Sequence, residues 1–368
     1  MAGSILFLMS AHGPSHVWPA TLRSPPSPPK LVYLDLNHWV SLARANVGNP
    51  EGNQHRDVLA ACLDAVDRGA AVFPLSDAIY MEQSKIGSAR QRRDLRDVIE
   101  RISNYRVITS RVIVAQHEIE SVLDRCSGPS QDPINTMDYL DWGVMRAFGM
   151  AGGIRIGSTD DDEDHTAAAR AQHPDGPDAF DRAIFAADLA LNRGVLDGPA
   201  SPEEESEMRA TGWDPRAGYR VAEARAQQEV EFANVLDANP KWRRQGLRDL
   251  VVGRELVQEV GGILAKGISD RGSTSVETAF EDPDEARRAL VEMPSFDVSV
   301  SIKTEYHRDP AHNWTANDIM DIDALSSTVP YCDVVVTDRA AAHAVQIDVG
   351  RRLGTTVLAR LIDLPPFL

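Results

Sequence analysis

The run Val334-Val-Val336 constrains the fold more than any other segment. Three consecutive β-branched residues favour an extended backbone, and an unbroken apolar run reads as a buried central strand. Asp333 stands at its entrance, in Tyr331-Cys-Asp-Val-Val-Val-Thr-Asp338, and Thr337 and Asp338 stand where the strand must end. Near the start of the chain Leu31-Val-Tyr-Leu-Asp-Leu36 repeats the theme, with Asp35 as its one carboxylate. Carboxylates at the tips of apolar strands are costly unless something pairs with them, and a hard divalent cation is the usual partner.

The alternation of elements gives the class. Leu31–Leu36, Ala70–Leu75, Tyr105–Thr109, Asp333–Thr337 and Thr355–Leu358 read as strands. Helices are expected over His38–Ala45 (capped by Asn37), 54–68, from Ser76 or Asp77 through Glu82, 89–103, 110–125, 318–328 (capped by Asn317 or Asp318) and 339–352. Residues 295–307 alternate like a strand, but the topology asks for a helix, and a helix is expected. Strands alternating with helices imply an α/β protein with a mostly parallel central sheet flanked by helices, whose sites lie at the strands' carboxyl ends.

Between the two halves the strand rhythm disappears. Residues 127–180 are rich in Gly, Pro and Asp, and the run Asp160-Asp-Asp-Glu-Asp164 reads as a solvated loop. Long amphipathic helices are expected over 216–238 and 241–266, with a further one over 283–292. The expected organisation is a leader over 1–30, a core over 31–126, a mainly α-helical insertion over 127–293 and the rest of the core over 294–368. The leader, with six prolines from Pro14 to Pro29 and no periodicity, is expected to be disordered.

Composition narrows the function. A net charge of −17 argues against broad adhesion to nucleic acid or anionic lipid, so local patches must make any such contact. One patch is Lys85, Arg90, Arg92, Arg93, Arg96, Arg101 and Arg106; a second is Lys241, Arg243, Arg244 and Arg248. No apolar run approaches the roughly 20 residues that span a bilayer, so no membrane is expected. Cys62, Cys126 and Cys332 are too scattered for a disulfide framework or a zinc site, which fits a reducing cytoplasm. No phosphate-binding loop, dinucleotide fingerprint or serine-hydrolase elbow occurs.

Four acids stand at corresponding ends of strands and helices: Asp35, Glu82, Asp321 and Asp338. Gathered together they would repel one another, and Mg²⁺ or Mn²⁺ would relieve that repulsion. Such an ion polarises a phosphodiester oxygen and helps to generate hydroxide, so phosphodiester cleavage is the expected chemistry. Asp318 and Asp323 compete with Asp321, which is preferred on spacing. Asp333 is either a further metal-site acid or a cap at the strand's entrance.

Leu34-Asp35-Leu-Asn37 after a strand, Ser76-x5-Glu82 after the next, and Asp321 ahead of the strand ending in Asp338 together resemble a PIN domain. The resemblance covers roughly 31–126 and 294–365. It implies a Mg²⁺/Mn²⁺-dependent endoribonuclease with Asp35, Glu82, Asp321 and Asp338 as metal-holding acids, supported by Asn37. It further implies RNA as substrate and, by analogy with toxin–antitoxin pairs, an inhibitor protein as partner. The long helical insertion is foreign to the common PIN pattern. Lys85, Arg92, Arg93, Arg96 and Arg339 are the expected phosphate contacts. Trp39, Trp142, Trp213, Trp242 and Trp314 are read chiefly as packing residues, and His38 and His343 as structural histidines. Two other readings are a catalytically silent binding module and a phosphatase of the haloacid-dehalogenase type, the latter weakened because Asn37 cannot act as a general acid.

Overall fold

Alternate residues of the segment Leu31–Leu34 enter two different cores. Leu31 and Tyr33 pack with Ile302, Ile322, Leu325 and Val345, whereas Val32 and Leu34 pack with Trp39, Leu42, Leu59 and Ile99. Side chains alternate across a strand, so an apolar run of this kind demands cover on both faces. In the computed structural model, which describes residues 18–26, 29–150, 154–157, 163–273, 282–291 and 293–368, helices supply that cover.

The strands are β1 (Leu22–Arg23), β2 (Lys30–Leu34), β3 (Ala71–Val72), β4 (Arg106–Ile108), β5 (Met137–Asp138), β6 (Leu140–Trp142), β7 (Val334–Val336) and β8 (Thr356–Leu358). The first half contributes α1 (Leu36–Asn46), α2 (Arg56–Asp67), α3 (Asp77–Gln83), α4 (Ala89–Ser103) and α5 (Arg111–Ser127). The middle third contributes α6 (Val144–Ala147), α7 (Thr166–Ala171), α8 (Pro177–Asp197), α9 (Pro202–Ala210), α10 (Ala217–Ala238), α11 (Pro240–Arg244), α12 (Leu247–Gln258), α13 (Gly261–Ser269) and α14 (Pro283–Val291). The last part holds α15 (Pro294–Arg308), α16 (Ala316–Thr328), α17 (Arg339–Ile347) and α18 (Val349–Leu353).

The central sheet has the order β3-β2-β7-β8 and is parallel throughout. Leu75 extends it by bridging Val107 of β4 in parallel, and β6 closes that side antiparallel to β4. The molecule is thus an α/β protein in which helix predominates. Among the described residues no helix is long and apolar enough to cross a membrane. All three cysteines are free thiols.

Several expectations are corrected. Residues 18–26 of the leader are built into the fold: Leu22 is buried, β1 pairs in parallel with β5, and Trp18 packs edge-on against Tyr139 and Tyr331. Residues 1–17, 27 and 28 lie outside the described residues, as do 160–162 of the acidic run. The middle third is not strand-free, because β5 and β6 return to pair with β1 and β4. The helix expected over 241–266 is three helices. Gly246, with φ of +79°, takes the left-handed conformation at the first break, and glycines 261 and 262 open the helix after the second. The helix expected over 339–352 breaks at Asp348, whose φ of −142° leaves the helical range.

Residues 295–307 do form a helix, α15, and the reason for their strand-like alternation is visible. Almost the whole helix is buried, so its polar residues are not a solvent face. Ser295 donates to Glu118, Ser299 to Glu255, and Asp297 pairs with Arg352 at 2.5 Å. Lys303, fully buried, pairs with Glu255 at 2.6 Å and Glu229 at 3.0 Å. Arg111 joins Glu255 at 2.6 Å to Asp323 at 2.5 Å, Arg225 joins Asp323 to Glu259, and Arg254 holds Glu229 at 2.6 Å. Although burial pushes the other way, Arg111 and Arg225 hold Asp323 well below the usual carboxylate range, so it is ionised.

This network ties α10, α12 and the following Glu259 to α5, α15 and α16. A third apolar core reinforces the tie, with Val251, Leu264 and Leu290 against Ile119, Leu123 and Phe296. The inserted helices are therefore fastened to the core rather than appended to it. Removing one partner of a buried ion pair strands the others at a cost of about 3–5 kcal/mol. Lys303→Ala is accordingly expected to lower unfolding stability by about that amount at pH 7, read from the urea midpoint; a loss below about 1 kcal/mol would mean that the lysine is dispensable.

Candidate carboxylate site

The register of β2 with β7 places the ends of the two strands side by side, since Leu34 pairs with Val336 and the Asp35 amide donates to the Val336 carbonyl at 2.9 Å. Each strand then turns at once into a helix, and the aspartate at each turn caps it. Asp35 Oδ1 accepts from the Leu36 amide at 2.6 Å; Asp338 Oδ1 accepts from Ala340 and Ala341 at 2.6 and 3.1 Å. Capping by a short carboxylate at a positive helix end is worth about 1 kcal/mol. It leaves the Oδ2 of both aspartates without a hydrogen bond among the described residues. Asp35, not Asn37, is thus the cap of α1.

Two helices bring the other acids. Glu82 lies on α3, which starts past the end of β3, and Asp321 lies in the second turn of α16. Asp35, Glu82 and Asp321 share the walls of a cleft of about 290 Å³ with Asn37, Lys85, Tyr219 and Asn317. Asp338 lies outside that lining but within electrostatic reach. Burial pushes Asp321 up to about 9, helped by Asp35, Glu82, Asp338 and Asp318. Burial also pushes Asp35 up to about 7, with Glu82 and Asp338 adding to it. Glu82 is raised by burial, with Lys85 pulling the other way. Asp321 makes no hydrogen bond or ion pair among the described residues.

The competition among the α16 acids is decided by helix geometry. Residues two apart point about 200° from each other around a helix, so Asp321 and Asp323 cannot serve one site. Asp323 faces the buried arginines. Asp318 is spent in a capping box: Thr315 Oγ1 accepts from its amide, and its Oδ2 accepts from the Thr315 amide at 2.6 Å. As a metal acid Asp318 is therefore corrected to a cap, although its charge still reaches Asp321. Asp333 is corrected likewise. It sits at the amino end of β7, away from the carboxyl-end site, and its Oδ2 accepts from the Leu31 amide at 2.8 Å.

The basic residues divide sharply. Lys85 reaches the cleft, where its Nζ donates to Asn317 Oδ1 at 3.0 Å, lies 3.9 Å from Glu82 and sits 4.3 Å from the centre of the Tyr219 ring. Arg92 is a structural residue, buried and donating to the carbonyls of Ile86, Asp197 and Pro199. Arg96 pairs with Asp97 at 2.9 Å and with Asp197 at 3.5 Å. In the second patch, Arg243 donates to the His307 carbonyl and Arg248 pairs with Asp297. Arg93 and Arg339 are exposed, Arg339 directly beside Asp338. His38 Nε2 donates to the Thr337 carbonyl at 3.2 Å, which is a structural role. Trp39 and Trp314 are buried packing residues, whereas Trp242 is 45% exposed.

Nothing in the residue pattern pointed to Tyr219, which reaches the cleft from α10 of the insertion, and Asn317 stood there only as a candidate cap. Among the described residues no three His, Cys, Asp or Glu side chains form a ready-made metal-holding group. The donor set still suits a hard cation: carboxylate oxygens with raised proton affinity, uncommitted Oδ2 atoms, and only one lysine to compensate them.

The raised acids fix a pH dependence. A carboxyl whose folded value exceeds its unfolded value of about 4 binds more protons in the folded state, so stability falls as pH rises through that interval. Asp321→Asn is expected to be more stable than wild type by at least about 2 kcal/mol at pH 8, the gain shrinking towards zero near pH 4. Equal denaturant midpoints at both pH values would show that Asp321 is not held protonated. No family model matches the chain, and neither a curated protein nor a solved structure matches it significantly.

Proposed function

We propose that the chain is a divalent-metal-dependent nuclease of the PIN-like kind, acting on RNA, with Asp35, Glu82, Asp321 and Asp338 as its metal-holding acids. The observation that carries this reading is the electrostatic coupling of four acids, far apart in sequence, at the carboxyl end of one parallel strand pair. Asp35 and Asp321, whose proton affinity burial and neighbouring carboxylates raise, are a store of cation affinity.

A bound Mg²⁺ or Mn²⁺ would neutralise the cluster, polarise a phosphodiester oxygen and make water nucleophilic near neutral pH. The chain's own residues do the rest. Asp35 and Asp338 are held rigid by helix amides, so their free oxygens present fixed acceptors. Asp321 contributes a carboxyl with no competing partner. Lys85 and the amides of Asn37 and Asn317 supply donors to a phosphate or sugar in the cleft.

Asp35→Asn and Asp338→Asn are each expected to reduce cleavage of single-stranded RNA to background in Mg²⁺ or Mn²⁺, with far-UV circular dichroism unchanged. EDTA should do the same to the wild type. Full activity in either variant would remove the mechanism, and cleavage of DNA but not RNA would move the substrate class.

A catalytically silent module that binds nucleic acid is the second reading. Lys85 favours it, because an ammonium 3.9 Å from Glu82 already offsets part of the charge a metal would take. RNA binding without cleavage across Mg²⁺ and Mn²⁺ titrations would select it.

A further inference from the structure

The carboxylate cleft is lined by core residues except for Tyr219, which the insertion contributes. The segment leading into α10 docks on the end of α3: Ser84 Oγ donates to the Pro215 carbonyl at 3.3 Å. A Cβ at Gly218 would lie 2.5 Å from Met81 Sδ, so any larger residue here would have to displace the Met81 side chain. That close seat brings Tyr219 over Lys85, whose ammonium lies 4.3 Å from the ring centre. On the same ring the Arg216 guanidinium lies 5.6 Å from the centre. Arg216 is exposed and makes no ion pair among the described residues. Lys85 has three N–H donors; Asn317 takes one at 3.0 Å and the Met320 sulfur lies at 3.7 Å, while Glu82 is beyond hydrogen-bond length.

Two cations sharing one tyrosine at the rim of an acidic cleft have an evident chemical use. Alone, an acidic cleft on a chain of net charge −17 repels a polyanion. A pair of cations at its mouth reverses that locally, and the ring attracts both by cation–π contact.

We propose that Lys85 and Arg216, positioned by Tyr219 of the insertion, form a phosphate track that leads a single-stranded nucleic acid into the carboxylate cleft. This rests on the nuclease reading for its purpose but not for its test. The insertion then completes the site: Lys85 and Arg216 contact backbone phosphates, and Tyr219 is a positioning residue that sets both.

The test is fluorescence anisotropy of the full chain with a short fluorescein-labelled single-stranded RNA, and DNA of the same sequence, in EDTA over a range of salt concentrations. Each phosphate contact contributes about 0.7 to the slope of log affinity against log salt for a single strand. Lys85→Ala and Arg216→Ala are each expected to lower the slope by about that amount, with Lys85→Arg and Arg216→Lys retaining it. Tyr219→Ala should lower the slope as well, and Tyr219→Phe should restore it, which a loss of folding would not reproduce. Wild-type slopes in both alanine variants, or no measurable binding by the wild type, would overturn the track. Cleavage in Mn²⁺ is scored separately, so binding that follows the track without cleavage retires the nuclease reading alone.

Discussion

The parallel pairing of Leu31–Leu34 with Val334–Val336 is the constraint on which the rest of the molecule depends. It joins segments some three hundred residues apart and makes the inner sheet, whose side chains must be covered on both faces. Because both strands run the same way, both end at the same edge, and both turn into helices there. Asp35 and Asp338 are thus brought together by backbone pairing, before any side chain of the site contributes. Each also completes a helix N-terminus, so fold and site use the same two carboxylates for different purposes. One oxygen serves the cap and the other remains available.

The second structural device is the buried ion network around Lys303. Its four cations (Lys303, Arg111, Arg225 and Arg254) face four anions (Glu229, Glu255, Glu259 and Asp323), so the interior is close to neutral. Taking such groups out of water is expensive, and their worth lies in geometry as much as in stability. The network fixes the azimuth of α16 by holding Asp323, and with Asp323 held to one side, Asp321 faces the cleft. The same contacts anchor α10, whose first turn carries Tyr219 to the mouth of that cleft.

Much of this was legible in the residues themselves. The valine run, the Asp35 strand and their helix partners were found from apolar patterning, because a strand buried on both faces has no other way to read. The helical state of 295–307 followed from topology rather than from pattern. What misled elsewhere was polarity. Sequence treats a serine or lysine as surface, yet Ser299 and Lys303 are inside, satisfied by carboxylates contributed by α12 and α10. Arg92 and Arg96 looked like a nucleic-acid patch for the same reason, and both are held by contacts from the end of α8 and the turn beyond it. Residues 18–26 read as unstructured because prolines and short strands carry no periodicity, although the groove beside β5 gives them a partner.

The residues themselves required two acid-tipped apolar strands to be buried between helices, since a run that is apolar on both faces leaves neither face for solvent. They also marked Asp35 and Asp338 as acids at the ends of those strands. Three-dimensional packing is what makes Asp318 and Asp333 caps, commits Asp323 to a buried network, and sets Tyr219 of the insertion beside Lys85. The reason is that a carboxylate's role depends on which hydrogen-bond donors and cations lie within a few ångströms of it, and those come from segments that chain order does not relate.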